Sequence, residues 1–258
     1  SEERSAAFRH ISVKAVCICL IVHRFVQSAD DGITRPLSFF CQINLAQMKP
    51  YDKDNVLPES GMLYFFYECG SSTWGFDPAD NGAARVFYFQ NTDGFAPLDL
   101  PENLAKDYAI PEIAVKFRSQ ISCPCFEEFE NHSDLDCDWN DYDDELKKLG
   151  VDTDCGAGEH KLLGYADTIQ GEMLTECERV SRGLYCGDAE SYKNTPDEVK
   201  ANIEKHAGDW MLLLQLSTVT KGGFELMFGD CGMLYFYIRK DDLAARKFDK
   251  IHFSLQCC

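Results

Sequence analysis

The chain has 258 residues and a formal net charge of −18 at pH 7. Its hydrophobic share of 45% and aromatic share of 12% are typical of a globular protein and exclude a disordered chain. Nucleic acids and anionic membrane surfaces attract basic faces, so we expect neither as a partner. The acidic charge leaves two interpretations open, a basic protein partner or simply a soluble surface.

The chain contains 13 cysteines, an odd number, scattered along the sequence. The apolar run at residues 13–22 is too short to cross a bilayer, and no small-residue cleavage site follows it. We therefore predict reduced thiols, most of them in the core, and a cytoplasmic location.

The first part of the chain is rich in predicted strands. Residues 37–45 alternate between two faces, as a strand does, and Met62–Tyr67 is apolar on both faces, as a central strand is. A third strand is predicted at residues 85–89. The intervening residues 45–60 contain two prolines and are predicted to form a loop.

The pattern changes between the two strand-rich blocks. Residues 98–157 form a helical and acidic insertion, with an acidic run over residues 134–145. Beyond it, helices are predicted at residues 168–180 and 194–207. The second of these has Thr195 as its N-cap, a capping box completed by Glu198, and Gly208 at its end.

The end of the chain repeats the start. Gly61-Met62-Leu63-Tyr64-Phe65 returns as Gly232-Met233-Leu234-Tyr235-Phe236, and each copy follows an apolar run that carries one glutamine. Gln42 precedes its copy by 19 residues and Gln215 by 17. We predict an internal duplication in a single α+β domain over residues 1–258. Two pseudo-repeats, at about 35–97 and 158–258, would form related and mostly antiparallel sheets, with helices from the central insertion.

Ordered motifs carry a family resemblance over roughly residues 35–258. In the second half they are His160-Lys161-Leu162-Leu163-Gly164-Tyr165, Ile169-Gln170, Trp210 to Gln215, Gly229 to Phe236 and Phe253 to Cys257. In the first half they are Pro36 to Leu45, Leu57 to Gly61 and Trp74-Gly75. The chain resembles the YwqG-like family, a bacterial family of unknown function.

The resemblance implies two related halves and no established activity, and it supplies no catalytic residues. Some family members lie in gene neighbourhoods suggestive of toxin and immunity systems. The chain departs from the family pattern over residues 1–35, which lack a Gly-Gly-x-Pro element and a Trp-Pro pair. This segment is either a native divergence or a coding-frame artefact.

Seven polar residues are candidates for binding a ligand. A buried amide needs hydrogen-bond partners, so each strand glutamine either ties its strand to a neighbouring loop or lines a seam between the repeats. Asp230 either forms a tight turn or acts as a carboxylate near His160 and Tyr165. The full set of candidates is Gln42, His160, Tyr165, Gln170, Gln215, Asp230 and Gln256.

Two clusters have residue types that suit metals, although no cofactor is expected. Cys123, Cys125, His132 and Cys137 are of the types that bind tetrahedral zinc, but their spacing is not a standard finger pattern. Asp134, Asp136, Asp138 and Glu145 occupy positions 1, 3, 5 and 12 of a calcium loop. Trp139 stands where that loop needs glycine, which favours a solvated acidic loop instead.

No complete catalytic set is recognisable, so the first hypothesis is a non-catalytic protein-binding module of the immunity type that captures a basic partner. The alternative is a small-ligand-binding protein or an enzyme with its site at the seam.

Overall fold

Two antiparallel sheets frame the protein, in a computed structural model that describes residues 25–27, 33–71, 73–97, 99–114, 117–133, 135–151 and 159–258. The strands are β1 (Phe25–Gln27), β2 (Thr34–Pro36), β3 (Ser38–Asn44), β4 (Met62–Tyr67), β5 (Ala84–Phe89), β6 (Lys161–Leu162), β7 (Trp210–Leu216), β8 (Val219–Lys221), β9 (Phe224–Leu226), β10 (Met233–Arg239) and β11 (Ile251–Gln256). The helices are α1 (Leu45–Met48), α2 (Phe126–His132), α3 (Trp139–Lys148), α4 (Leu174–Ser181), α5 (Ala189–Asn194), α6 (Asp197–Ala207) and α7 (Lys240–Ala244). The predicted α+β class is confirmed.

The first sheet has the order β3-β4-β5 and the second the order β11-β10-β7-β6, with every neighbouring pair antiparallel. In each sheet the strand that begins with Met-Leu-Tyr-Phe lies in the middle, as its apolar residues on both faces predict. Two small hairpins, β1-β2 and β8-β9, complete the strands of the described residues.

The two sheets also share their register. Gln42 lies opposite Tyr64, and Gln215 lies opposite Tyr235, the matching tyrosine of the repeated motif. Each pairing has a register shift two residues before the glutamine, at Phe40 in β3 and at Leu213 in β7. A β-bulge at the same place in both sheets is consistent with a duplication. The common ancestry itself stays a prediction.

The sheets pack face to face over a shared apolar core. The rings of Phe65 on β4 and Phe236 on β10 meet edge to face, with centroids 5.2 Å apart. Residues of both sheets belong to this cluster, together with Leu243 and Phe248 after β10. Each sheet therefore turns one face inward and one face outward.

The acidic run in the insertion is partly helical, where a solvated loop was predicted. The side chain of Asp138 accepts hydrogen bonds from the backbone N–H groups of Asn140 and Asp141, at 2.8 and 3.0 Å, and so caps α3. Two lysines occupy the last turn, where they complement the helix dipole. Asp134 lies outside the described residues.

Two predicted helices differ in their beginnings. α4 starts at Leu174, after the 168–173 segment that was predicted to belong to it. α6 ends at the Gly208 cap as predicted, but Thr195 does not cap its start. The Thr195 hydroxyl instead donates to the Ser191 carbonyl, 2.7 Å away, at the end of α5.

The ten cysteines in the described residues are free thiols, and four of them are buried: Cys41, Cys69, Cys177 and Cys257. Among the described helices, none combines the length and the apolar character needed to span a membrane. The apolar run at 13–22 and most of the divergent segment at 1–35 lie outside the described residues.

The loop before β5 joins the two sheets at a glycine. The Trp74 carbonyl accepts a hydrogen bond from the Leu255 N–H of β11, 2.9 Å away. Gly75 has a φ of +96°, and a Cβ atom there would lie 2.1 Å from the Phe253 carbonyl oxygen. Only glycine allows this approach.

We expect Gly75→Ala to lower the free energy of unfolding by roughly 3 kcal/mol or more, because backbone strain and a clash with Phe253 add together. Gly94→Ala is the matched control, since Gly94 has a φ of +80° and open space around it. It should cost only about 1 kcal/mol. Urea unfolding of both variants measures the difference, and equal losses would contradict close packing at Gly75.

Candidate functional site

Gln215 on β7 holds the segment that follows β6 against the second sheet. Its amide oxygen accepts from the Asp167 N–H at 2.8 Å. Its amide nitrogen donates to the Asp167 carboxylate and to the Glu159 carbonyl, both at 2.8 Å. The Lys161 ammonium pairs with the same carboxylate, and the Tyr235 hydroxyl donates to the Asp167 carbonyl. These bonds engage both ends of the Gln215 amide within the protein.

Gln256 on β11 also holds the segment that follows β6 against the second sheet, a few residues further along the chain. Its amide oxygen accepts from the N–H groups of Ile169 and Gln170, at 2.9 and 3.0 Å, and its nitrogen donates to the Gly171 carbonyl at 3.1 Å. The Gln170 side chain itself is exposed. The geometry of Gln215 and Gln256 matches the structural interpretation, in which strand amides hold a loop.

The structure does not bring Gln42 and Gln215 together. Gln42 lies beside Tyr64, which packs in a cluster on the outer face of the first sheet. Gln215 lies beside Tyr235, which packs on the outer face of the second sheet. The two glutamines thus point away from the shared core, on opposite sides of it.

The remaining predicted ligand residues are also dispersed. His160 accepts a hydrogen bond at Nδ1 from the Ser217 N–H, 3.1 Å away, beside a small apolar cavity lined by Phe40 and Phe228. Asp230 is exposed in the tight turn that links Phe228 to Gly232. Tyr165 alone of the seven lines the cleft described below.

The described residues among the predicted metal ligands do not form a cluster. In the described residues, no group of three or more His, Cys, Asp or Glu side chains is arranged to hold a metal ion. Cys125 precedes α2 and His132 ends it, while Cys137 lies in the link to α3. Asp138 caps α3, and Glu145 pairs with Lys148 at 2.6 Å. Zinc and calcium binding stay sequence-based predictions.

A cleft of about 730 Å³ lies at the seam between the two sheets. It is lined by the loop before β5, by the end of α4, by the end of β10 and by the start of β11. Its buried carboxylate, Glu178, pairs with Arg182 and Arg239 and accepts a hydrogen bond from the Trp210 indole at 2.9 Å. Arg239 also pairs with Asp209, 3.3 Å away, so two carboxylates and two guanidinium groups form one ion-pair network here. None of the seven predicted ligand residues lines it.

A second cleft, of about 450 Å³, lies on the outer face of the second sheet, where α2 and the 163–166 segment cover β7 and β10. We call it the Glu128 cleft. Its floor includes Leu212 and Tyr237, and its rim includes His132, Tyr165 and Lys240. Glu128 on α2 lines it and is only 9% exposed. Among the described residues, the Glu128 carboxyl has no hydrogen-bond or ion-pair partner.

Burial determines the chemistry of this carboxyl. Removal from water raises the pKa of Glu128 to about 7, with a further rise from the nearby Glu172 and an opposing effect of Lys240. Sequence reasoning missed Glu128, because a seven-residue helix with neighbouring glutamates gives no pattern that tells which one turns inward.

The other prominent surface is the acidic side of the insertion. Trp139 is 57% exposed at the start of α3, and Leu135 just before it is 70% exposed. The Trp139 ring contacts Phe126 edge to face, with centroids 5.4 Å apart, so its orientation is defined. Carboxylates surround these two side chains in sequence: Asp136, Asp138, Asp141, Asp143, Asp144 and Glu145. We call residues 135–145 the acidic patch.

Comparison with known families matches the chain to a family described as Domain of unknown function (DUF1963), over residues 26–257. The chain belongs to the DUF1963 family. The match begins inside the divergent first segment and covers both sheets. Comparison with curated proteins gives no match.

In this DUF1963 protein, we expect Gln215→Leu to lower the free energy of unfolding by about 3 kcal/mol, because it leaves the Asp167 N–H and the Glu159 carbonyl without partners. Gln170→Leu is the control; its exposed side chain should change stability by less than about 0.5 kcal/mol. Chemical denaturation tests both. If Gln215→Leu were as stable as the parent protein, the hydrogen bonds of the Gln215 amide would have no structural role.

Glu128→Gln should stabilise the DUF1963 chain above neutral pH. The folded protein binds the Glu128 proton more tightly than the unfolded chain, so the protonated group contributes stability below its usual pKa of 4.5, and this is lost as pH rises to about 7. A neutral amide does not ionise, so the variant should exceed the parent by roughly 2–3 kcal/mol at pH 8 and match it at pH 4.

Urea unfolding at pH 4, 6 and 8 measures this difference. Glu130→Gln, an exposed position on the same helix, provides the control and should show no such pH-dependent gain. A constant difference between Glu128→Gln and the parent across this range would contradict a buried, ionising carboxyl.

Proposed function

We propose that this protein is a non-catalytic binding module that captures a basic protein segment through the acidic patch. The observation that carries the proposal is the exposure of Trp139 and Leu135 within a run of carboxylates. Large apolar side chains that are exposed together commonly mark interaction surfaces, and tryptophan is enriched among the residues that dominate binding energy.

Charge supports a basic partner in particular. The formal net charge of −18 produces a field that attracts cationic proteins, and the carboxylates of the patch would pair with lysines or arginines around an apolar centre. Such a partner would suit an immunity-type protein that neutralises a basic toxin. We also propose the YwqG-like family as the finer assignment within DUF1963. Some members of that family lie in gene neighbourhoods suggestive of toxin and immunity systems, which favours the same idea.

The proposed duplication would explain the architecture around this surface. Two copies of one β-unit would account for the repeated Met-Leu-Tyr-Phe strand and for bulges at the same step, Phe40 and Leu213. The acidic patch lies between the units in sequence, where an insertion could diverge without disturbing either sheet.

We expect Trp139→Ser to weaken binding of a basic partner about 30-fold, the effect of losing about 2 kcal/mol at a central aromatic contact. The first probe is a helical peptide of leucine and lysine, with fluorescence anisotropy as the measurement, and the second is the set of basic products of neighbouring genes. Binding should also weaken as salt increases.

Two controls define the outcome. Leu100→Ser alters an exposed leucine outside the patch and should leave the affinity unchanged. A peptide with glutamate in place of lysine should not bind. The proposal fails if Trp139→Ser and Leu100→Ser bind the cationic peptide equally well, or if the anionic peptide binds as tightly.

A further inference from the structure

The Glu128 cleft has the chemistry of a second binding site, separate from the acidic patch. We propose that it binds the ammonium group of a small alkylamine, with the Glu128 carboxylate as the counter-ion and the Tyr237 hydroxyl as a second acceptor. The proposal goes beyond the capture of a protein partner and does not depend on it.

The first support is that Glu128 differs from the other buried carboxylates of the described residues. Asp52 accepts from the N–H groups of Val56 and Leu57, at 2.9 and 2.8 Å. Glu68 accepts from two backbone N–H groups, and Glu178 has two arginines and an indole. Each of these satisfies the rule that buried carboxylates are paired. Glu128 is 9% exposed, against 0–4% for these three, and it lines the cleft without such a partner among the described residues.

The second support is Tyr237, on the floor of the same cleft. Its side chain is 2% exposed, and within the described residues its hydroxyl makes no hydrogen bond. Two buried polar groups, on α2 and on β10, thus border one cavity, and neither has a partner in the part of the chain that the structure describes. A ligand that occupied the cavity could satisfy both.

The charges around the cavity favour a cation. An ammonium group has three donors and no acceptor, which suits a carboxylate and a phenol oxygen. The nearby Lys240 ammonium donates to the Gly208 carbonyl, 2.6 Å away, and among the described residues it makes no ion pair with Glu128. Phe129, Tyr165 and Tyr237 supply aromatic surface, which attracts cations and also accommodates an alkyl chain.

The affinity should depend on pH. The titratable groups on the cleft wall are Asp54, His132, Tyr165, Tyr237 and Lys240, and those packed behind α2 include Cys125, Tyr142 and Glu172. Because burial holds the pKa of Glu128 near 7, the carboxyl is mostly protonated at pH 6 and mostly ionised at pH 8. Amine binding should therefore strengthen roughly tenfold over this interval.

The test is titration calorimetry of the full chain with n-pentylamine, 1-pentanol and pentanoate, at pH 6 and pH 8. We expect the amine to bind at least tenfold more tightly than the alcohol at pH 8, and pentanoate to bind most weakly. Glu128→Gln should remove this preference for the amine, whereas Glu130→Gln should preserve it. Tyr237→Phe should weaken amine binding by a smaller factor.

Three results would overturn the proposal: no amine binding at pH 8, equal binding of amine and alcohol, or unchanged amine binding by Glu128→Gln. Binding of a lysine-containing peptide without binding of the free amine would also overturn it, because the ammonium would then come from a protein. Thermal melting of each variant is the check that it is folded. Trp139→Ser should retain amine binding, so failure of the acidic patch and failure of the cleft are distinguishable.

Discussion

The rest of the protein depends on the packing of the two sheets against each other, and the contact between Phe65 and Phe236 lies at the centre of that packing. Because both central strands place alternate apolar residues into one core, neither sheet can bury its inner face alone. This arrangement leaves two outer faces that need cover of their own. On the second sheet, α4 and the segment after β6 provide it. The Glu128 cleft is the space on this face that α2, α4 and the segment after β6 do not fill.

Polar groups in this cover are satisfied by the sheet itself. Gln215 and Gln256 provide amide groups to the backbone of the covering segment, so a chain without regular secondary structure can lie against an apolar face. At the seam, Glu178 and Asp209 pair with two arginines. Against this background of paired groups, the solitary carboxyl of Glu128 marks a different kind of position. This contrast is the basis for the amine site that we propose on the covered outer face.

The sequence predicts the strands well because they depend on local pattern. Met62–Tyr67 is apolar and aromatic throughout, and the return of the same motif at Met233 predicts a second strand of the same kind. Helix beginnings were less predictable. The N–H groups of residues 169 and 170 donate to Gln256, a residue more than eighty positions away, so a tertiary contact holds this segment before α4 begins. Thr195 has the right residue type for a cap, but its hydroxyl is engaged by α5 and by the buried Arg179.

The candidate site was harder to predict than the fold. Residue types alone indicate which glutamines and cysteines are unusual, but not which face each side chain occupies. Gln42 and Gln215 illustrate the difficulty, since a matching sequence position places them on opposite outer surfaces. Glu128 becomes distinctive only when α2 packs on the second sheet, because burial and a missing partner are properties of the tertiary structure.

The bulges in β3 and β7 have a consequence for how the two units can change. Each lets two successive residues face the core, Phe40 with Cys41 and Leu213 with Leu214. In an unbroken strand the next side chains would alternate, and the glutamine would point into the apolar interior. The extra residue therefore determines which side chains of the strand face the core and which face outward. Evolution can lengthen or shorten the surrounding loops freely, but removing one residue at the bulge would exchange the inner and outer faces of everything on one side of it.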